Sequence, residues 1–496
     1  PPPRNLTKFI PIVMLVFIFG FKSLAQTHVK REWIDNTGAP DTMIWSKSIA
    51  MPGDYLLHIG HTKVPTQPTN ALFTYYDAQG NIEWQHTFVD SAQYDYYGVD
   101  ADYDDNHDIY IVGTAKSNVD ITAKIFLIKY DHSGNLIWQE FYHSHVSHED
   151  IATAIYVDKN TGTPYVSVAS NTPTSDFDYL ALKFNTSGVL QWDARYDYNN
   201  LIDFPISVIQ EDNKVFLTGA SAMNPTRWQY TTVVFSEANG NFEADFRETV
   251  VGVGFDTPSS FIKDDDGYFY ITGRTSTDGI NYNVRTTKLD SSLNVQWTEI
   301  YDFAGQKDEG LSIDIDDNGN VYVGGYVTRA PNVTDLLLLK YDSNGNLVWE
   351  HTQASEDPTK EAKATVVQVT PDGYLYFAGY EHTKNGGNQR TIIGKYSPNN
   401  NTIYQRRTKS FLNGDEMPTG LRISEDKSIF LTTIQNDNQQ LEYATRRYTE
   451  FTQDPTPYIV NDTAVFRAQE IIVRFKQIAT IDSAFYPEYQ GQRREF

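Results

Sequence analysis

Six acidic side chains, Asp150, Asp203, Asp256, Glu309, Glu361 and Glu416, recur at intervals of 53, 53, 53, 52 and 55 residues. Six basic ones recur at Lys129, Lys183, Lys288, Lys340, Lys395 and Arg446. In a repeat protein that closes on itself, equivalent positions form rings, so these residues could line a pore or rim and select a charged ligand. The alternative is structural: a repeated charge at a repeated position needs only a repeated job, such as pairing between neighbouring units or capping of backbone groups. The spacing favours the structural use.

Two smaller constellations could hold a metal. Asp314-x-Asp316-x-Asn318-Gly319 matches the first half of a calcium loop, echoed by Asp100-x-Asp102-x-Asp104 and by residues 264–267. Calcium takes six to eight oxygens, and the twelfth loop position, a bidentate Glu in the complete motif, is Gly325 here. Asp, Asn and Gly also belong in tight turns for their own reasons, which is the preferred reading. His143, His145 and His148 form the one dense cluster among 11 histidines and could make a zinc or copper site. A variable polar loop would look the same. No resident cofactor is expected, calcium being the one open possibility. With 0 cysteines, thiolate chemistry, iron-sulfur clusters and a disulfide framework are excluded.

The elements that must carry these residues follow from residues 336–349, Leu-Leu-Leu-Leu-Lys-Tyr-Asp-Ser-Asn-Gly-Asn-Leu-Val-Trp, degraded copies of which run through the chain. An apolar run, an Asp-x-x-Gly-Asn turn and a Trp read as a β-hairpin, because Asn and Gly reach the positive φ that tight turns require. The Trp position recurs at Trp33, Trp84, Trp138, Trp192, weakly at Phe242, then at Trp297, Trp349 and Tyr404, about 53 residues per step. A period of that size, rich in strand signals and without helical periodicity, predicts an all-β propeller of four-stranded blades. Strand signals count to eight. The last unit stops near Tyr448 without a Trp strand, whereas the chain starts with one at residues 31–34. That N-terminal strand is expected to complete the last blade and hide both sheet edges. Eight blades over residues 28–451 is the expectation, with seven as the alternative.

Outside the array, residues 10–21 are apolar, follow Arg4 and Lys8 and precede Ser23-Leu24-Ala25, the pattern of a signal peptide over residues 1–25. Export to the medium or cell surface is expected, with no membrane span remaining after cleavage. Residues 452–460 read as a linker, and residues 461–496 as the start of a further β-containing domain in a chain that looks like a fragment. The formal charge of -24 would repel a phosphate backbone, so nucleic acid is not an expected partner.

The units typified by residues 339–349 and 316–325 resemble the bacterial β-propeller repeat called SBBP. The resemblance covers about 420 residues and implies a secreted or surface protein of the kind common in Bacteroidetes-like bacteria. That repeat has no shared catalytic residues, so none is carried over. The Trp rhythm also invites comparison with quinoprotein dehydrogenases, but their vicinal cysteine pair cannot exist here. The expected function is therefore binding or scaffolding of an extracellular protein or glycan, without catalysis of its own. Aromatic side chains suited to sugar rings (33 Tyr, 27 Phe, 8 Trp) keep a glycan-binding module open. An accessory propeller of an extracellular enzyme, such as a hydrolase, is the other alternative.

Overall fold

The computed structural model describes residues 27–36, 42–63, 67–144, 148–172, 175–247, 254–384, 387–408, 414–424, 427–436, 441–452, 458–460 and 464–466. The expected signal segment, His145 and most of residues 461–496 lie outside the described residues. The chain divides into two compact units, Val29–Glu450 and a second containing Pro1–His28 with Phe451–Phe496. Within the second, Tyr458–Val460 pairs antiparallel with Ala464–Phe466.

The first unit is an eight-bladed propeller. Blades 1 to 7 follow chain order, each built on four antiparallel strands of which the inner ones are Thr42–Met51, Tyr94–Tyr103, Asp150–Val157, Asp203–Glu211, Thr257–Lys263, Glu309–Ile315 and Ala362–Val369; in blade 4 the short strand Gly254–Phe255 also pairs, parallel, with Arg227–Ser236. Blade 8 takes its inner three strands from Asp415–Ile423, Ile429–Asn436 and Leu441–Thr452, and its outer strand from the N-terminal Thr27–Asn36. The exchange covers the edge that Leu441–Thr452 would otherwise leave unpaired and ties the two ends of the ring together. Among the described residues there is no helix, so none is long and apolar enough to cross a membrane.

The hairpin at 336–349 shows why these sequences make blades. Its strand Val333–Tyr341 is the third of blade 6, buried on both faces, and Leu336 to Leu339 are at most 1% exposed. A continuous apolar run therefore replaces alternation. Asp342 Oδ1 then accepts the backbone N–H groups of Asn344 and Asn346, both at 2.9 Å, which closes the turn. The strand Leu347–Gln353 that follows pairs back onto Val333–Tyr341. The Trp strand thus ends the sheet before it rather than starting the next, so blade boundaries fall one strand later than the Trp period suggests.

Blades join through that Trp. Trp84, Trp138, Trp297 and Trp349 donate Nε1–H to the carbonyls of His132, Thr186, Ser343 and Pro398, at 3.2, 2.9, 3.1 and 3.0 Å, each in the hairpin turn of the next blade. The indole packs flat against the turn glycine there, Gly134 against Trp84 and Gly345 against Trp297. The ring both fills the interblade wedge and satisfies a turn carbonyl.

Candidate functional site

Inner and third strands run in the same direction, so the two predicted rings lie at opposite ends of the blades. The acids begin inner strands and the bases end third strands. Apart from Glu416 and Arg446, the members of the two rings do not pair with each other. Each has its own job.

The acidic position is a loop anchor. Asp150 Oδ2 accepts the N–H of Ser144 at 2.6 Å, and Asp203 Oδ2 that of Tyr198 at 2.6 Å. Asp256 Oδ1 accepts the N–H of Ser276 at 2.9 Å, at the end of the adjacent strand. Sheet register assigns the blade 6 equivalent to Asp308, because Gly310 pairs with Gly325 as Pro205 pairs with Gly219 and Pro258 with Gly273. Asp308 behaves accordingly, accepting Phe303 N–H at 2.5 Å and Thr328 N–H at 3.0 Å. Glu309 is one residue late and turns elsewhere, toward the Tyr326 hydroxyl at 3.0 Å and the Arg274 guanidinium at 3.6 Å. Glu361 is one residue early: Ala362 holds the register position in blade 7. Glu416 is in register and buried, paired with Arg446 at 2.5 Å.

The basic position is a clamp on a tyrosine. Lys129, Lys183, Lys288, Lys340 and Lys395 pair across the sheet with Tyr110, Tyr165, Tyr270, Tyr322 and Tyr376. Each ammonium lies over its ring, at 4.6 Å for Lys129 and 5.0 Å for Lys340. Carboxylates share several of them: Lys129 meets Asp108 at 2.8 Å, Lys395 meets Glu450 at 2.7 Å, and Lys183 meets Glu237. In blade 8 the register position is Arg447, opposite Phe430, and Arg446 is one residue out. The slip explains why Arg446 reaches the acidic level and its neighbour does not.

The half calcium motif is used by the fold. Asp316 Oδ1 accepts the N–H groups of Asn318 and Asn320, at 2.9 and 3.0 Å, while Oδ2 accepts the Tyr322 hydroxyl at 3.0 Å. Asn318 contributes its backbone. Asp314 Oδ2 instead accepts Val369 N–H of the next inner strand at 2.7 Å, and burial pushes its carboxyl up to about 6. Asp100 and Asp102 reach Ile155 N–H and Val157 N–H of blade 3 in the same way, at 3.2 and 2.8 Å. These carboxylates satisfy the axial edge of the neighbouring inner strand, whose N–H groups have no further strand to pair with. His143 Nε2 meets the backbone carbonyl of His148 at 2.9 Å, so the two described histidines are joined through main chain rather than through converging rings.

The sequence pattern missed a local departure from symmetry. In blades 3 and 4, carboxylate oxygens of Asp178, Asp197 and Asp203 lie within 4.8 Å of one another. Arg195 binds Asp178 at 2.9 Å. Burial, assisted by the charges of Asp178 and Asp197, pushes Asp203 up to about 7. In blade 5 a polar cleft of about 260 Å³ opens on the same loop-bearing end, between the loop after Thr275 and the loop carrying Asp302 and Gly305. Arg285 forms part of its wall and is only 3% exposed. The signal was present in the sequence as an Arg inside an otherwise strand-forming run.

No family model and no curated protein matches the chain. Among solved structures, quinohemoprotein alcohol dehydrogenase from Comamonas testosteroni aligns at 10% identity over 87% of this chain and 78% of its own, with a TM-score of 0.51. A protein of unknown function from Bacteroides caccae aligns at 12% identity over 57% of this chain and 90% of its own, TM-score 0.32. Another from Dyadobacter fermentans aligns at 8% over 70% and 93%, TM-score 0.37. At such identities the likeness is one of fold: this chain is an eight-bladed β-propeller.

Proposed function

We propose that the chain is an exported binding propeller, without catalysis of its own, whose interblade loops contact an extracellular protein or glycan. The observation that carries this reading is the division of labour at the loop-bearing end. Recurring buried carboxylates anchor the loops, as Asp150 does at Ser144, Asp203 at Tyr198 and Asp308 at Phe303. The anchored segments themselves share little: residues 197–202 read Asp-Tyr-Asn-Asn-Leu-Ile and 302–307 Asp-Phe-Ala-Gly-Gln-Lys, while residues 89–93, Val-Asp-Ser-Ala-Gln, are tied instead by the Tyr96 hydroxyl, which accepts Ser91 N–H at 3.0 Å. A rigid platform with individually varied loops suits recognition. The resemblance to secreted repeat propellers and the apolar leader at residues 10–21 support an extracellular setting. The test is to present the full chain to immobilised extracellular glycans and matrix proteins, then to repeat with residues 303–307 replaced by Gly-Ser. Specific retention that a loop replacement removes supports the reading. Turnover of a chromogenic substrate panel, abolished by substituting a single residue of the propeller, would contradict it.

A further inference from the structure

Arg285 occupies a position that the repeat reserves for apolar or small uncharged side chains. Its cross-strand partner is Gly273, and the residues at that register elsewhere are Leu72, Phe126, Leu180, Thr231, Leu337 and Ile392. Those residues fill the wedge between blades. A guanidinium does that job poorly, because burying it costs solvation, and burial here draws its pKa down to about 10. Its contacts include the Tyr230 ring at 5.6 Å and the Thr287 hydroxyl at 3.4 Å. Blade 5 therefore departs from the pattern at the place where a cleft opens, and the departing residue lines that cleft.

The rest of the lining defines the ligand chemistry. Asn281 and Asn283 offer amides, and Thr277 a hydroxyl, all suited to hydroxyl groups. Ile300, 54% exposed, gives an apolar patch of the size a ring face can cover. The walls are held in place beforehand: Asp278 Oδ1 accepts the N–H groups of Ile280 and Asn281, both at 2.8 Å, and Asp302 Oδ1 accepts Gly305 N–H at 2.8 Å. Such preformed loops lose little entropy on binding. Asp278 and Asp302 also place two negative charges at the mouth, in a chain of net charge -24, which disfavours phosphates and other multiply charged anions. The volume of about 260 Å³ is below the usual range for drug-sized ligands, so one ring fits.

Resting on the binding reading above, we propose that this cleft receives a single uronic acid residue of a glycan, its carboxylate on Arg285 and its hydroxyls on Asn281 and Asn283. Arg is suited to the role because its planar fork matches a carboxylate in two parallel hydrogen bonds, strongest where water is excluded.

The experiment is ligand-observed NMR titration of the full chain with the methyl glycosides of glucuronic, galacturonic and mannuronic acid, beside the corresponding neutral hexosides. At least one uronide should bind about tenfold more tightly than its neutral counterpart, the worth of one charge-assisted pair. Arg285→Gln should abolish that preference. Should this buried variant fail to fold, Asp302→Asn carries the test: Asp302 is exposed, and removing its charge should tighten the uronide more than the hexoside. Equal binding of uronide and hexoside, binding of neither, or indifference to Asp302→Asn overturns the proposal. Retention of a neutral glycan elsewhere on the chain, with no uronide preference, would overturn the cleft assignment while leaving the binding reading intact.

Discussion

Gly345→Ala tests how the blades are held together. Gly345 sits at φ +89° in the turn that receives Trp297, and its N–H donates to Asp342 O at 3.0 Å. A methyl group there pays twice. The left-handed backbone costs an L-residue about 1–2 kcal/mol. The added Cβ would also lie 2.9 Å from both Cγ and Cδ2 of the Trp297 indole, closer than carbon atoms approach, so the ring must move and its 3.1 Å bond to Ser343 O must stretch. Overpacking of that kind costs about 1–3 kcal/mol. Gly267 supplies the internal control. It closes an equivalent turn, its N–H donating to Asp264 O at 3.2 Å at φ +80°, but a Cβ there would meet only Glu211 Oε1 at 3.8 Å. Gly267→Ala should therefore lose the backbone share alone, about 1–2 kcal/mol, and Gly345→Ala about 2–5 kcal/mol. Urea unfolding followed by Trp fluorescence measures both, with the emission of Trp297 reporting its displacement. Equal losses for the two variants would show that the Trp-glycine contact does not hold neighbouring blades.

Three further outcomes follow from the buried charges. Asp203, Asp308 and Asp314 have folded pKa values of about 7, 6 and 6, raised by burial above the usual carboxylate range. Because the folded chain keeps protons that the unfolded chain releases, their contribution is complete below about pH 4 and is lost as pH rises through about 6–7. Asp203→Asn should lose less stability than the wild type between about pH 5 and 8 in denaturant titrations; an unchanged slope would refute the assigned burial. Arg446→Met should cost about 3–5 kcal/mol by leaving Glu416 charged in the interior, and Glu416→Gln in the same chain should restore part of it. A double mutant no more stable than the single one would show that the two are not coupled. Lys129→Met should cost less than Arg446→Met in the same assay, because Asp108 retains solvent contact at 19% exposure and buried Asp104, 3.5 Å from the ammonium, keeps the N–H groups of Asn106 and Asp108 and the Tyr110 hydroxyl.

Blade number and the hairpin turn were legible because each is local and recurs from blade to blade, and the closure by residues 31–34 followed from the count, since the array starts with the strand that its last unit lacks. Apolar runs, turn residues and Trp survive degradation of individual copies. The ring members were only partly legible. Asp150, Asp203 and Asp256 share a spacing of 53 and a register, but interblade loops change length by one residue and carry the eye to Glu309 in place of Asp308, to Glu361, and to Arg446 in place of Arg447. A one-residue slip turns a strand side chain to the opposite face, so the substitute acids meet other partners. Asp314, on an inner strand, and Asp316, in the turn after it, imitate metal ligands because both uses need carboxylates at alternate positions, and only hydrogen-bond geometry separates them. The blade 5 cleft was hidden for the opposite reason. Repeat reading looks for what recurs, whereas Arg285 is informative because it does not.

The closed ring is what makes a platform out of eight small sheets, and hydrogen exchange of residues 27–36 tests it most directly. Hydrogen-bonded to the strand Leu441–Thr452, the N-terminal strand should exchange its paired amides as slowly as the outer strands of the other blades, such as Leu347–Gln353. Exchange at the rate of an unstructured peptide over residues 27–36, with the other outer strands protected, would contradict the closure.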